Sequence, residues 1–77
     1  MPRYYFNILN LNLSIIDDVG EELPDKEAAW RQATITAGEL FKDVDGRLRP
    51  GQKWALEVTD EARRPIYLIR IEAKQME

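Results

Sequence analysis

From Arg3 to Leu9 the apolar residues alternate in facing: Tyr4, Phe6 and Ile8 share one side of an extended segment, and Tyr5, Asn7 and Leu9 the other. This spacing predicts a first β-strand. Asn10-Leu11-Asn12 follows, with two residues that tolerate left-handed backbone, and Leu13 and Ile15 resume the alternation, so a hairpin into a second strand is expected. Two more alternating runs lie late in the chain. Trp54, Leu56 and Val58 interleave with Ala55, Glu57 and Thr59. After the turn Asp60-Glu61-Ala62-Arg63-Arg64-Pro65, Ile66 to Ile71 makes a fourth strand ahead of a polar tail.

Between the two hairpins the period changes from 2 to 3.6. Gly20 permits a tight bend, Pro24 biases Leu23 away from helix, and Asp25 is a natural N-cap with Glu27 in the first turn. A helix is predicted over Lys26 to Val44, with Ala29, Ala33, Ala37, Leu40 and Val44 as its apolar stripe, widened by Trp30 and Phe41. Trp30, Phe41 and Trp54 are all expected in the core. Glu27, Arg31, Gly38 and Lys42, with Ile35 near them, fall on the solvated side. Thr34-Ile35-Thr36 followed by Gly38 is poor helix material, Gly costing about 1 kcal/mol relative to Ala, so tertiary packing must hold the middle turn. Asp45-Gly46 is expected to end the helix and Arg47 to Gln52 to form a loop.

The order ββαββ predicts an α+β fold in which one helix packs on one face of a four-stranded, mainly antiparallel sheet. The expected spatial order of the strands is second, first, third, fourth. Phe6, Ile8, Trp54, Leu56, Val58, Tyr67, Ile69 and Ile71 then lie under the helix. The other face would be open and show Tyr5, Asn7, Leu9, Ala55, Glu57, Thr59, Ile66, Leu68 and Arg70. Its apolar centre, Tyr5, Leu9, Ile66 and Leu68, is the candidate interaction surface, with a second copy of the chain as the leading partner.

At 77 residues the chain can hold one core and one domain. Its 44% hydrophobic content, with two Trp and three Tyr, is that of a packed domain and not of a disordered segment. A domain of this size buries only about 60% of the surface its unfolded chain exposes, so association would add stability. Cysteine is absent, which excludes disulfides and thiolate chemistry and fits a reducing compartment. Met1 to Phe6 lacks a long apolar stretch and no segment approaches the ~20 apolar residues of a membrane span, so a cytoplasmic protein without membrane contact is expected. The net charge is −3, and between residues 17 and 27 Asp17, Asp18, Glu21, Glu22, Asp25 and Glu27 stand against Lys26 alone. With a pI near 4.9, the chain lacks the basic surface of a general nucleic-acid binder.

Candidate chemistry is sparse. Histidine is absent, so Ser-His-Asp, Cys-His and His-based metal arrangements are excluded, and Ser14, the only serine, sits in a predicted strand. Asp17, Asp18, Glu21 and Glu22 lack the alternating spacing of a calcium loop and are read as a solvated loop leading into the helix cap. Arg47, Arg49, Lys53, Arg63, Arg64 and Arg70 could share an edge with Tyr5 or Trp54 as a stacking platform, but Asp43, Asp45, Asp60 and Glu61 in the same loops make a mixed-charge surface the expectation. No catalytic, cofactor or metal residue is assigned.

Three stretches carry a resemblance: Met1-Pro2-Arg3-Tyr4-Tyr5-Phe6-Asn7, the loop Asp17-Asp18-Val19-Gly20-Glu21-Glu22-Leu23-Pro24-Asp25 ahead of an Ala-rich helix, and Trp54-Ala55-Leu56-Glu57-Val58-Thr59-Asp60. The chain resembles a family of short bacterial proteins of unknown function that open Met-Pro-Arg-Tyr-aromatic-Phe-His. Asn7 stands where that family commonly has His, and Leu11 where the first hairpin commonly has Gly. The resemblance implies a shared fold and boundaries and transfers no catalytic residues. The acidic loop and Ala-rich helix also resemble, more loosely, HicB-type antitoxin domains, which would imply a partner-binding role. The reading is therefore a non-catalytic interaction or regulatory module that acts through its surface.

Overall fold

A computed structural model of the chain describes residues 1–10, 14–44 and 51–77, and of residues 43 and 44 the backbone alone. The elements are β1 (Arg3–Asn10), β2 (Ser14–Ile15), β3 (Glu21–Glu22), α1 (Lys26–Val44), β4 (Lys53–Thr59) and β5 (Pro65–Glu72). One helix packs on a mainly antiparallel sheet, the α+β arrangement that the alternation predicts. The strands lie in the order β2-β1-β4-β5, and β3 also pairs with β1. The expected order is thus present. The additional strand, β3, falls in the segment read from sequence as a loop, where Glu22 and Glu21 lie opposite Arg3 and Tyr4. The predicted hairpin turn at Leu11-Asn12 and the predicted helix stop at Asp45-Gly46 lie outside the described residues.

Register sets the two faces. Phe6 pairs with Val58, Ile8 with Leu56, and these in turn with Tyr67 and Ile69 of β5, so one face is apolar across three strands. Against it α1 sets Ala29, Ala33 and Ala37, all buried, with Leu40 half-buried beside them. Tyr4, Leu56 and Val58 complete the buried core. The Asp25 carboxylate accepts from the Ala28 amide at 2.9 Å, which is the capping geometry expected from the Pro24-Asp25 entry.

Two aromatic residues depart from expectation. Trp30 is 38% and Phe41 58% exposed, so neither is core, and Trp54 is only half-buried. Trp30 lies about 100° round the helix from Ala29 of the buried row Ala29, Ala33 and Ala37, and Phe41 lies one turn beyond Ala37 toward the helix end. Trp30 meets Tyr67 of β5 with ring centroids 5.2 Å apart, and Phe41 lines a hollow with Ala37 and Leu40 over Trp54 and Leu56 of β4 and Ile69 and Ile71 of β5.

The middle turn of α1 is helical in spite of its composition. Space around Gly38 is open, since a Cβ there would meet nothing within 4 Å. Gly38→Ala is therefore expected to stabilise the fold by about 1 kcal/mol, read as a raised denaturant midpoint at unchanged slope.

Candidate functional site

The sheet face turned away from α1 is built in rows by the register: Tyr5 with Thr59 and Pro65, Asn7 with Glu57 and Leu68, Leu9 with Ala55 and Arg70. Sequence reasoning leaves this whole face open. One end of it is covered. Asn7 is only 4% and Thr59 only 3% exposed, and the Thr59 hydroxyl has no hydrogen-bond partner among the described residues.

The cover is the acidic loop, and Asp17 fastens it. On its outer edge β1 pairs with β3 at Arg3 and Tyr4 and with β2 at Ile8 and Leu9, which leaves a gap between. The Asp17 carboxylate fills that gap: Oδ2 accepts from the Phe6 amide at 3.1 Å, while Oδ1 accepts from the Val19 amide at 3.0 Å and the Gly20 amide at 2.9 Å. Its own amide donates to Asn7 Oδ1 at 2.9 Å, and Asn7 Nδ2 donates to Glu57 Oε1 at 3.2 Å. Burial alone would push the Asp17 pKa up. The three amides, led by Gly20, and the Arg63 charge outweigh it and hold the carboxyl below its ordinary value. Asp17 is thus a structural anion and not the solvated loop charge expected from sequence, while Asp18, Glu21 and Glu22 are exposed as expected.

Arg63 closes the other side. Its guanidinium lies 3.5 Å from the centroid of the Tyr5 ring and donates to the Asp17 carbonyl at 2.8 Å. It stands in the β4–β5 turn with φ at 67°, a left-handed conformation that side chains other than Gly and Asn rarely take. Asp60 shapes that turn, accepting through Oδ1 from the Ala62 and Arg64 amides, each at 2.9 Å. The turn is closed by the Arg63 amide on the Asp60 carbonyl and the Asp60 amide on the Arg64 carbonyl, a three-residue hairpin whose last loop position is left-handed, and this closure carries the guanidinium onto the ring.

Elsewhere, a shallow depression of Pro2, Tyr4, Lys26, Asp60, Glu61 and Ala62 opens beside the helix N-terminus. Desolvation, reinforced by Asp25, Tyr67, Asp60 and Glu61, raises the pKa of the Tyr4 hydroxyl at its edge. Leu9 lies in a separate depression with Asn10, Lys53, Trp54, Ala55 and Arg70.

The four candidate surface residues are accordingly dispersed. Tyr5 is half-buried under Arg63, Leu9 is half-buried, and Leu68 is 53% exposed. Ile66 is half-buried against the core, because the register shifts after Val58–Tyr67 so that Thr59 meets Pro65 and Ile66 has no partner. Ile66 and Leu68 share a shallow hollow with Glu57 and Tyr67. Of the basic residues considered as an edge, Arg63 is committed to Tyr5 and Asp17, Lys53 lies 3.9 Å from Glu72, and Arg47 and Arg49 lie outside the described residues. No group of three or more acidic, His or Cys residues able to hold a metal ion occurs among the described residues. With both Asp17 oxygens taken by amides, calorimetric titration with calcium or magnesium is expected to show no micromolar binding.

The sequence model of a domain of unknown function, DUF6894, matches residues 3–72. The chain belongs to this family. The match runs from the first residue of β1 to the last of β5, so the family unit is the sheet and its helix. No curated protein and no solved structure matches the chain. Among the described residues, no helix is long and apolar enough to cross a membrane.

Proposed function

We propose that this member of the family is a non-catalytic interaction module, and that it engages its partner through the β5 side of the molecule. The observation that carries the reading is the exposed apolar side chains on both faces of β5: Leu68 on one, and Trp30, stacked on Tyr67, on the other. The middle of the open face serves less well as the contact, since Tyr5 and Asn7 are already engaged by Arg63 and Asp17. The lack of His and Cys, and the use of Asp17 for amide binding, also favour a role without covalent or acid–base chemistry.

Photocrosslinking in the cell that makes the protein tests this. A benzophenone side chain at position 68 is expected to capture protein, whereas one at Ile35, equally exposed at 55% on the solvated side of α1, is not. Equal yields from the two positions would overturn the assignment.

A further inference from the structure

The depression at the start of α1 contains a polar group that the fold buries and leaves without a partner. Tyr4 is only 4% exposed and belongs to the core. A buried tyrosine ordinarily finds a hydrogen-bond partner for its hydroxyl. Tyr67 does so, donating to the Lys26 carbonyl at 3.3 Å. The Tyr4 hydroxyl makes no hydrogen bond among the described residues, where Thr59 Oγ1 is the side-chain atom sealed from the surface without one. The Tyr4 oxygen is therefore open to the hollow of about 400 Å³ that Tyr4 lines with Pro2, Lys26, Asp60, Glu61 and Ala62.

The charge around this oxygen is negative. Desolvation and, after it, Asp25, Tyr67, Asp60 and Glu61 raise the pKa of the hydroxyl, so at neutral pH it stays protonated and its oxygen offers lone pairs. Asp60 uses Oδ1 for the Ala62 and Arg64 amides, and Glu61 uses Oε1 for the Arg3 amide, which leaves Oδ2 and Oε2 to accept. The positive end of α1 is offset by the Asp25 carboxylate on the Ala28 amide, and among the described residues Lys26 forms no ion pair with Asp60 or Glu61.

We propose that this depression binds an alkylammonium group, with the Tyr4 hydroxyl and the free carboxylate oxygens of Asp60 and Glu61 accepting from its three N–H donors. A primary ammonium has three donors and no acceptor, which suits three acceptor oxygens in a negative surround. A phosphate or carboxylate would meet Asp60 and Glu61 as like charges, and these acidic residues do not converge as a metal site. The site lies apart from Leu68 and Trp30 and stands whether or not they contact a partner.

Amide NMR titration with n-butylammonium chloride, against sodium chloride at equal ionic strength, tests the proposal. Saturable shifts centred on Tyr4, Lys26, Asp60 and Glu61 are expected, in the millimolar range or below. Tyr4→Phe removes the hydroxyl alone and should weaken binding about fivefold or more, while the thermal midpoint stays within a degree or two of wild type because no bond is lost. Glu61→Gln keeps an acceptor for the Arg3 amide and should weaken binding at least as much. Glu39→Gln, the same change of charge on an exposed residue far along α1, should leave it unchanged. Shifts that do not saturate, binding indifferent to Tyr4→Phe, or equal weakening by Glu39→Gln overturns the proposal, and a markedly lower midpoint for Tyr4→Phe assigns the hydroxyl to the fold and overturns it too. Parallel titrations with putrescine and Nα-acetyl-lysine amide distinguish the source of the ammonium: tighter binding of the diamine points to a free amine, tighter binding of the lysine derivative to a protein side chain, and either supports the site.

Discussion

Asp17→Asn is expected to destabilise the protein by about 3 kcal/mol, a large part of the 5–15 kcal/mol available to a typical domain. The substitution keeps the shape of the side chain and removes an acceptor. Three amides, of Phe6, Val19 and Gly20, point at the two carboxylate oxygens. An asparagine must set its NH2 against at least one of them, donor facing donor, and it also loses the charge that strengthens the remaining bonds. Thermal unfolding should show a midpoint lower by roughly 15 °C. A shift of only a degree or two would mean that the loop is held by something other than this carboxylate.

The same residue imposes a pH dependence whose sign follows from the direction of its shift. Its carboxyl titrates lower in the folded protein than the ordinary value of 3.8. The stabilisation is therefore complete above about pH 5 and is lost as the pH falls through 3.8 toward the depressed folded value. A carboxamide in its place cannot titrate, so denaturant titrations of Asp17→Asn between about pH 5 and pH 2 should show a shallower loss of stability than wild type.

How much of this was legible in the sequence depends on what each residue's neighbours are. The period-2 runs and the 3.6 stripe are local signals, and they placed β1, α1, β4 and β5, the cap at Asp25 and the strand order. Trp30 and Phe41 depart from expectation because hydrophobic type says that a side chain wants burial, while its position round and along the helix decides whether the sheet lies beneath it. Asp17 was misread for a different reason. A carboxylate in an acidic run is ordinarily solvated, and nothing local distinguishes it from Asp18. Its role follows from the gap between two short pairings on the edge of β1, which exists only once β2 and β3 are in place. The Asp17-Asp18-Val19-Gly20 stretch did carry a usable hint, since an Asp followed at the third position by Gly is the composition of a turn closed by its own side chain. Ile66 shows the limit of the alternation itself, because one bulge between the Val58–Tyr67 and Thr59–Pro65 pairs shifts the frame at the start of β5.

Gly20→Ala tests the closure of the loop from the opposite side, through volume and not charge. Gly20 has φ at 75°, and a Cβ added there would lie 2.8 Å from Arg3 Cγ, 2.9 Å from the Tyr4 carbonyl oxygen and 2.9 Å from Tyr5 Cε1. The arginine stem can move. The carbonyl belongs to β1, and the Tyr5 ring is itself held by the Arg63 guanidinium over its face, so these two contacts are relieved by lifting the loop. Strain in the left-handed region contributes about 1 to 2 kcal/mol, and the displaced loop adds the weakening of the Asp17 bonds, for a total near about 3 kcal/mol. Gly51 separates the two contributions, because it too has a positive φ, 90°, while a Cβ there meets nothing within 4 Å. Gly51→Ala is expected to cost only the conformational part, about 1 to 2 kcal/mol. Chemical denaturation of the two variants side by side should rank Gly20→Ala as the more destabilised, with amide exchange at Phe6 accelerated in that variant alone. Equal losses at the two glycines would show that the loop does not press on Tyr5, and the cover over that end of the sheet would have to be assigned to other contacts.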